Sequence, residues 1–341
     1  MAGRKRPLGI PSLEDKIVQK AAEMIMDRIY DPIFYDFSFG FRGGKGQHDA
    51  LKRVREKCMS ENINWIIDAD VSSYFDTIDH RQLIEFIKLR LNDGGLIRLV
   101  KKWLNAGVME EGELHQSVTG TPQGGIISPI LSNIYLHYVL DDWFEQEVVP
   151  RMKGRCFIVR YADDFIVGFE SKSDAERFME VLPKRFEKHG LKIHPDKTKM
   201  VMYGRPSRTA KKSGRETFDF LGFTHYWSRS RKGYWVIKRK TRKKSADSKK
   251  AEIWKWIKRN RHAPMEYLSL KLKEKLLGWY NYFGVRSNFI SLHRMYRFVV
   301  HTLKFWLNRR SDKHLNSEKF GKILKGLRLP KPRLSRKLQM V

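Results

Sequence analysis

Arg160-Tyr161-Ala162-Asp163-Asp164-Phe165 sets two adjacent carboxylates between two short apolar runs, Phe157-Ile158-Val159 before them and Phe165-Ile166-Val167-Gly168-Phe169 after them. Apolar run, tight turn, apolar run reads as a β-hairpin, and Asp tolerates the backbone of such turns, so the acids sit at the tip. A pair of acids there is a poor core element and a good ligand set for a hard divalent cation, which takes oxygen donors. Four residues alone fit a plain surface turn equally well.

A third carboxylate decides between these readings. Trp65-Ile66-Ile67-Asp68-Ala69-Asp70-Val71 is an apolar run that ends in acids and leads into Ser72-Ser73-Tyr74-Phe75-Asp76. Side chains on a strand alternate, so Asp68 and Asp70 share a face. A second strand that ends in an acid beside the hairpin tip brings together carboxylates from distant parts of the chain, the composition of a two-metal phosphoryl-transfer centre. Asp70, Asp163 and Asp164 are the candidate metal ligands. Asp68, Asp76 and Asp79 read as turn and cap residues.

The chain has 341 residues, with Lys+Arg 68 against Asp+Glu 38 and a net charge of +30. A field of that size exceeds what solubility requires, and its natural partner is a polyanion. No apolar run of about 18 residues and no signal-peptide pattern is present, which favours a soluble, cytoplasmic protein with no membrane partner. Cys58 and Cys156 offer neither a disulfide framework nor a zinc set, and are expected to be small buried apolar residues.

Residues 1 to 11, ending Arg6-Pro7-Leu8-Gly9-Ile10-Pro11, read as the second half of a basic hairpin whose first strand is absent. The spacing of Val18, Ala21, Ala22, Ile25 and Ile29 predicts a helix over 14–30, limited by Pro32. The glycines and basic residues of Ser38-Phe39-Gly40-Phe41-Arg42-Gly43-Gly44-Lys45 suit either a backbone approach to phosphates or a flexible turn. Residues 80–104 are helical in pattern, with a break at Asp93-Gly94-Gly95. In Thr121-Pro122-Gln123-Gly124-Gly125, glycines and a proline surround one amide side chain; the stretch suits a nucleotide contact or an ordinary turn opening the apolar helix from Ile130 to Leu140.

Ser173 and Glu176 have the spacing of a capping box for the helix after the acidic hairpin. Leu191 to Thr198 reads as a strand and turn, and Phe218 to Thr224 as one more strand. The order describes helices on one face of an antiparallel sheet. From 228 to 262 there are 15 lysines and arginines against only Asp247 and Glu252, which reads as a linker that contacts nucleic acid. Helical patterns with aromatics follow, then a basic tail.

In this order the motifs resemble the reverse transcriptase encoded by bacterial group II introns, over nearly the whole chain. They are Arg6 to Pro11, Ser38 to Arg42, Asp70 with Phe75-Asp76-Thr77-Ile78-Asp79-His80, Thr121 to Gly125, Tyr161 to Asp164, Pro195-Asp196-Lys197-Thr198, Phe220-Leu221-Gly222-Phe223 and Gly278-Trp279-Tyr280-Asn281-Tyr282-Phe283.

The resemblance implies an α+β right-hand polymerase, with an antiparallel-sheet palm and fingers and an all-α thumb, or maturase (X) domain. Expected boundaries are 1–56 for a partial fingers and palm entry, 57–226 for the palm, 227–262 for a basic linker, 263–315 for the thumb and 316–341 for the tail. It further implies that Asp70, Asp163 and Asp164 hold two Mg2+ ions and that Lys197 gives a proton to pyrophosphate. Phe75 would exclude a 2′ hydroxyl, Arg6 would grip the triphosphate and Gln123 would touch the incoming nucleotide. Phe220, Leu221, Gly222 and Phe223 would form the primer grip, while Arg42, Lys240, Arg242, Lys243 and Lys244 would meet template or other RNA.

The implied function is RNA-directed DNA synthesis combined with splicing assistance to an intron RNA, the partners being intron RNA or template, DNA primer or target, and dNTPs. Two alternatives remain: an RNA-binding maturase whose polymerase site is unused, and a retron-type, CRISPR-associated or host-adopted reverse transcriptase. The resemblance implies an N-terminal extension and a first fingers segment before Arg6, both of which this chain is expected to lack, and loss of that template grip would cripple activity. No endonuclease domain is expected after residue 341, nor therefore independent cutting of DNA.

Overall fold

The structure, a computed structural model, describes residues 11–105, 108–110, 113–115, 125–212, 214–310 and 315–335. The chain divides into two compact units, residues 1–209 with 214–216, and residues 210–213 with 217–341.

The first unit opens with helix α1 (Leu13–Tyr30), where the Ser12 side chain caps the N-terminus by accepting from the Asp15 amide. Helix α2 (Gln47–Ser60) leads into strand β1 (Trp65–Ala69), followed by helices α3 (Tyr74–Thr77), α4 (His80–Lys88) and α5 (Gly94–Asn105). The break between α4 and α5 covers residues 89–93, so the glycines expected to form it instead open α5, and the Asp93 carboxylate accepts from the Leu96 amide at 2.6 Å. Strands β2 (Val108–Glu110) and β3 (Glu113–His115) pair with each other; helix α6 (Ser128–Leu136) then runs on through a wider π-type turn, His137–Asp141. Strands β4 (Cys156–Tyr161) and β5 (Asp164–Phe169), helix α7 (Lys172–Lys188) and strand β6 (Lys199–Met202) complete the unit.

Its sheet has the order β4-β5-β1-β6 and is antiparallel throughout, from Trp65↔Phe169 to Ala69↔Phe165 between β1 and β5. Ile67, Ala69, Ile158, Phe165, Val167 and Phe169 join α4, α6 and α7 in one apolar core. The opposite face is buried too. Ile66, Phe157, Val159 and Ile166 are covered there, and α2 packs against β4 with Ala50, Leu51 and Val54 buried. The expected arrangement with helices on one face is thus corrected, and the sequence carries the reason: an unbroken run such as Phe157-Ile158-Val159 places apolar side chains on both faces of its strand.

Two smaller expectations change. Ser173 does not cap α7; Ser171 occupies that position, and its hydroxyl lies 2.9 Å from that of Ser173. Around residue 193 only a single bridge forms, Val71↔Ile193, and the strand proper is β6.

In the second unit, strands β7 (Phe218–Phe220), β8 (Phe223–Arg229) and β9 (Trp235–Thr241) form an antiparallel sheet. Helices α8 (Lys243–Asn260), α9 (Met265–Phe283), α10 (Phe289–Leu307) and α11 (Ser317–Leu327) follow. Leu268, Leu272, Leu276 and Tyr280 on α9 and Leu292, Met295, Val299 and Leu303 on α10 are buried at the three-to-four-residue spacing of a helix stripe. The stretch expected as a linker is instead a strand and an 18-residue helix, because Trp235 and Ile237 on β9 and Ile253 and Ile257 on α8 bury an apolar face beneath the lysines. The expected loose tail likewise holds α11, anchored by buried Phe320 and Leu327.

Among the described residues no helix is long and apolar enough to cross a membrane. Cys58 is buried and Cys156 half-buried, and burial raises both thiols, that of Cys156 to about 12, so neither supplies a thiolate near neutral pH.

Candidate active site and nucleic-acid interface

The β1–β5 register fixes the neighbourhood of Asp70. Since Ala69 pairs with Phe165, one step further along the same ladder sets Asp70 level with Asp164, the first residue of β5. The loop at 194–198 closes over this strand end. The His194 amide donates to the Asp70 carbonyl at 2.8 Å and the Asp70 amide to Thr198 Oγ1 at 3.3 Å. Lys197 Nζ donates to Asp70 Oδ2 at 2.8 Å. Both side chains are substantially exposed, at 59% and 37%, so the pair adds only about 0.2–1 kcal/mol to stability. The sequence named these two residues separately, and the structure joins them.

At the hairpin tip Tyr161 pairs with Asp164, leaving Ala162 and Asp163 as a two-residue turn. Ala162 is buried and has φ +56°, a left-handed conformation that costs a residue with a Cβ about 1–2 kcal/mol. The backbone of Gly40 is pressed against it. A Cβ built on Gly40 would lie 2.2 Å from the Ala162 nitrogen, so only glycine fits. Ser38 to Arg42 therefore backs the acidic turn, which is a different task from the phosphate approach its glycines suggested.

Asp70, Asp163 and Asp164 thus lie at one end of one sheet, each at least partly exposed. Among the described residues no three His, Cys, Asp or Glu side chains converge closely enough to enclose a metal ion. Carboxylate oxygens at a common strand end are the donors that a hard divalent cation takes, so the residues fit such an ion in kind. Asp70 is turned onto Lys197.

Asp79 caps α4, accepting from the Gln82 amide at 2.8 Å, as expected. Asp68 is corrected: it sits within β1, opposite Ile166 and Lys199, and is no turn residue. Phe75 is half-buried in α3, its ring edge-on to Tyr74 at 5.3 Å. Arg6 and Gln123 lie outside the described residues.

Arg42 is corrected as a template contact. Its guanidinium pairs with the Asp31 carboxylate and donates to the carbonyls of Asp31, Phe34, Tyr35 and Ser38, and only 6% of the side chain is exposed. A planar fork with five donors is well suited to gathering carbonyls at a chain reversal. Little of it is left for a nucleic acid.

In the second unit the stretch expected as one strand folds back at Leu221 (φ +46°) and Gly222 (φ +78°). Phe220 and Phe223 are buried, and the Phe223 ring lies 5.0 Å from Phe283 and 5.8 Å from Tyr282 on α9. Tyr282 Oη donates to the Leu221 carbonyl at 2.8 Å, and the Arg242 amide to that of Gly222 at 2.9 Å. Asn288 went unnoticed in the sequence, being one polar residue between two helical patterns. It is buried, accepts from the Thr241 amide at 2.9 Å, and so secures the end of β9.

The basic stretch borders a cavity of about 820 Å³, lined by Lys240, Arg242, Lys243, Lys244, Lys250 and Arg294, with Asp219 and Asp247 in partial opposition. Arg242 pairs with Asp219 at 2.9 Å, and Lys240 lies 5.4 Å from the Tyr226 ring centre. All four predicted RNA-contact residues here are exposed.

Comparisons with known proteins match the sequence in both parts of the chain. Residues 2–225 match the model for "Reverse transcriptase (RNA-dependent DNA polymerase)" and residues 246–323 that for "Group II intron, maturase-specific domain". The group II intron-encoded protein LtrA of Lactococcus lactis subsp. cremoris is 43% identical over 134 residues, which is 39% of this chain and 22% of LtrA. Protein YkfC of Escherichia coli is 35% identical over 230 residues, covering 58% of this chain and 60% of YkfC. The chain therefore spans less than two thirds of the length of either relative. A telomerase structure from Candida albicans aligns with a TM-score of 0.49 at 13% identity, over 92% of this chain and 54% of that one. With antiparallel strands setting Asp70 beside an acidic turn, and the family model running over residues 2–225, the chain belongs to the reverse transcriptase (RNA-dependent DNA polymerase) family.

Proposed function

We propose that the protein is an RNA-directed DNA polymerase of group II intron type, which extends a DNA primer with dNTPs on an RNA template and also assists its intron RNA in splicing. The observation that carries this reading is that Asp70 and the Asp163–Asp164 turn share one sheet end, in a chain matching both a reverse transcriptase and a group II maturase model.

Asp70, Asp163 and Asp164 would hold two Mg2+ ions. Such ions, when bound, activate a primer hydroxyl and neutralise the charge of a leaving pyrophosphate. The protein's own part is placement. Lys197, at hydrogen-bond distance from Asp70, is the candidate proton donor to pyrophosphate. Phe75 is partly exposed five residues beyond Asp70, and we assign it the exclusion of a 2′ hydroxyl. Arg6 is assigned to the triphosphate and Gln123 to the incoming nucleotide. The 220–223 turn is assigned to the primer, presented as backbone since its aromatics are core.

The cavity beside β9 and α8 supports the RNA half of the reading. Six cations face two acids there, and phosphate neutralisation is the main source of sequence-independent affinity.

Primer extension on an RNA template, with dNTPs and then rNTPs, tests the proposal in the parent and in Phe75→Ala. The parent is expected to copy RNA with dNTPs and to reject rNTPs, and the variant to admit rNTPs. Absence of any templated extension by the parent overturns the polymerase reading, and an unchanged dNTP-to-rNTP ratio overturns the role of Phe75.

A further inference from the structure

Directly beneath the acidic turn lies a set of polar side chains that the proposed chemistry does not use. Arg160, the first residue of the Arg160-Tyr161-Ala162-Asp163-Asp164 run, is wholly buried, as are Asp141 and Asn133. The guanidinium grips Asp141 with both arms of its fork, Nε to Oδ1 at 2.7 Å and Nη2 to Oδ2. Its remaining nitrogen, Nη1, donates to Asn133 Oδ1 and to the carbonyl of Ala162, both at 3.1 Å. Asn133 in turn donates from Nδ2 to the carbonyl of Gly40 at 2.7 Å. The Arg160 amide donates to the Phe37 carbonyl and the Arg160 carbonyl accepts from the Phe39 amide, both at 2.9 Å.

Two features separate this set from ordinary core filling. First, apolar groups of similar volume usually stabilise a core at least as well as a buried ion pair, so stability alone gives no reason for charges here. Second, the hydrogen bonds end on two particular backbone atoms. One belongs to Ala162, the left-handed residue immediately before Asp163; the other belongs to Gly40, whose backbone presses on the Ala162 nitrogen. A strained turn persists only where its surroundings over-determine it. Here one side chain holds the turn's carbonyl and its partner holds the glycine that underlies it.

We infer that Arg160, Asp141 and Asn133 form a positioning brace: acting through Ala162 and Gly40, they fix the direction in which Asp163 and Asp164 present their carboxylates, and so set turnover without touching nucleotide or primer. The inference rests on the polymerase reading given above. Partners that orient ligating side chains typically change metal affinity or activity by about 10–100-fold when removed. Misplacement of a reacting group by about 1 Å costs about 100-fold.

The test uses three variants of the full chain, each checked for folding by its melting curve. Arg160→Met with Asp141→Leu replaces both charges by apolar groups of similar size. Asn133→Ala cuts the link to Gly40 and one of the two bonds made by Nη1. Arg160→Lys keeps a charge beside Asp141 but lacks the fork that reaches Ala162. In the variants that melt like the parent, the kcat of primer extension is expected to fall about 10–100-fold while the KM for dNTP stays within about threefold. The Mg2+ concentration for half-maximal activity should rise about tenfold, with partial rescue by Mn2+.

Parental kcat and Mg2+ dependence in a folded variant overturns the brace, and so does a loss of activity that merely tracks a lowered melting temperature. If the parent itself extends no primer, the polymerase reading fails instead. The brace is then judged by hydrogen exchange at the Asp163 and Asp164 amides, expected to be at least about tenfold faster in Asn133→Ala; equal exchange overturns it.

Discussion

Two two-residue hairpin turns among the described residues, Ala162–Asp163 in the first unit and Leu221–Gly222 in the second, are built on left-handed residues and finished in opposite ways. At Ala162–Asp163 the backbone is held from below, by Arg160 on a carbonyl and by the close approach of Gly40, while carboxylates occupy the tip. At Leu221–Gly222 the carbonyls are taken by Tyr282 and Arg242, and the flanking phenylalanines are buried. The first turn fixes its backbone and leaves its carboxylates at least partly exposed. The second commits its side chains to the core and leaves a rigid strip of backbone. Catalytic sensitivity should therefore concentrate at the first turn, while changes at the second should register mainly in stability.

The largest effect expected from this contrast is at Asp163. Asp163→Asn removes a proposed ligand, and losing several kcal/mol of transition-state stabilisation corresponds to a fall in cDNA synthesis of about a thousandfold or more. The fold should be unchanged or slightly steadier, because neighbouring carboxylates repel in the absence of a cation. Residual synthesis within about tenfold of the parent would remove Asp163 from the site.

Next comes Gly40→Ala. The new Cβ meets backbone rather than a flexible side chain, at 2.2 Å, so either the 38–42 segment or the acidic turn must move. Overpacking of this kind costs about 1–3 kcal/mol, and displacement of the turn should reduce primer extension by about 100-fold. A variant that melts lower yet copies RNA at the parental rate would show that Gly40 supports the fold but not the aim of the acids.

How much of each turn could be read from sequence differs for a physical reason. The acidic turn was legible because its strands are unbroken apolar runs and its acids are conspicuous, and the helix expected over 14–30 and an interruption shortly before Gly94 followed from periodicity and glycine. What escaped were arrangements decided by tertiary partners. Arg42 reads as a surface cation until Asp31 and four carbonyls enclose it; Arg160 and Asp141 lie 19 residues apart, with no pattern connecting them. β9 and α8 were hidden by charge, since lysines and arginines alternate with the apolar positions that fold them. The reversal at Leu221 was missed because leucine seldom takes a positive φ, and Gly222 alone is a weak turn signal.

A third effect, moderate in size, concerns the basic surface of the second unit. Replacing Lys240, Arg242, Lys243 and Lys244 by Ala should flatten the slope of log affinity against log salt by up to about 3.6 units, at about 0.9 per phosphate contact on a duplex and somewhat less on single strands. Arg242 already pairs with Asp219 and Lys240 lies over Tyr226, so the change should fall short of that ceiling. Weakening should be similar across unrelated RNAs, since phosphate contacts carry no sequence information. An unaltered slope would mean that RNA is held by some other surface.

The smallest effect expected is at Gly222. At φ +78° any residue with a Cβ is strained, so Gly222→Ala should cost about 1–2 kcal/mol. Space is not the obstacle, because the added carbon would lie 3.5 Å from the Phe283 ring, an ordinary contact. Three independent attachments surround the position: Tyr282 on the Leu221 carbonyl, the Arg242 amide on the Gly222 carbonyl, and Phe223 between two aromatic rings. With so many constraints the turn should keep its shape and take the strain as lost stability, lowering the melting temperature by a few degrees while primer extension stays within about threefold of the parent. Thermal melts and primer extension on the same preparation decide the matter. An unchanged melt accompanied by a loss of extension greater than about tenfold would reverse the comparison, making the second turn the one whose exact backbone path matters to the reaction.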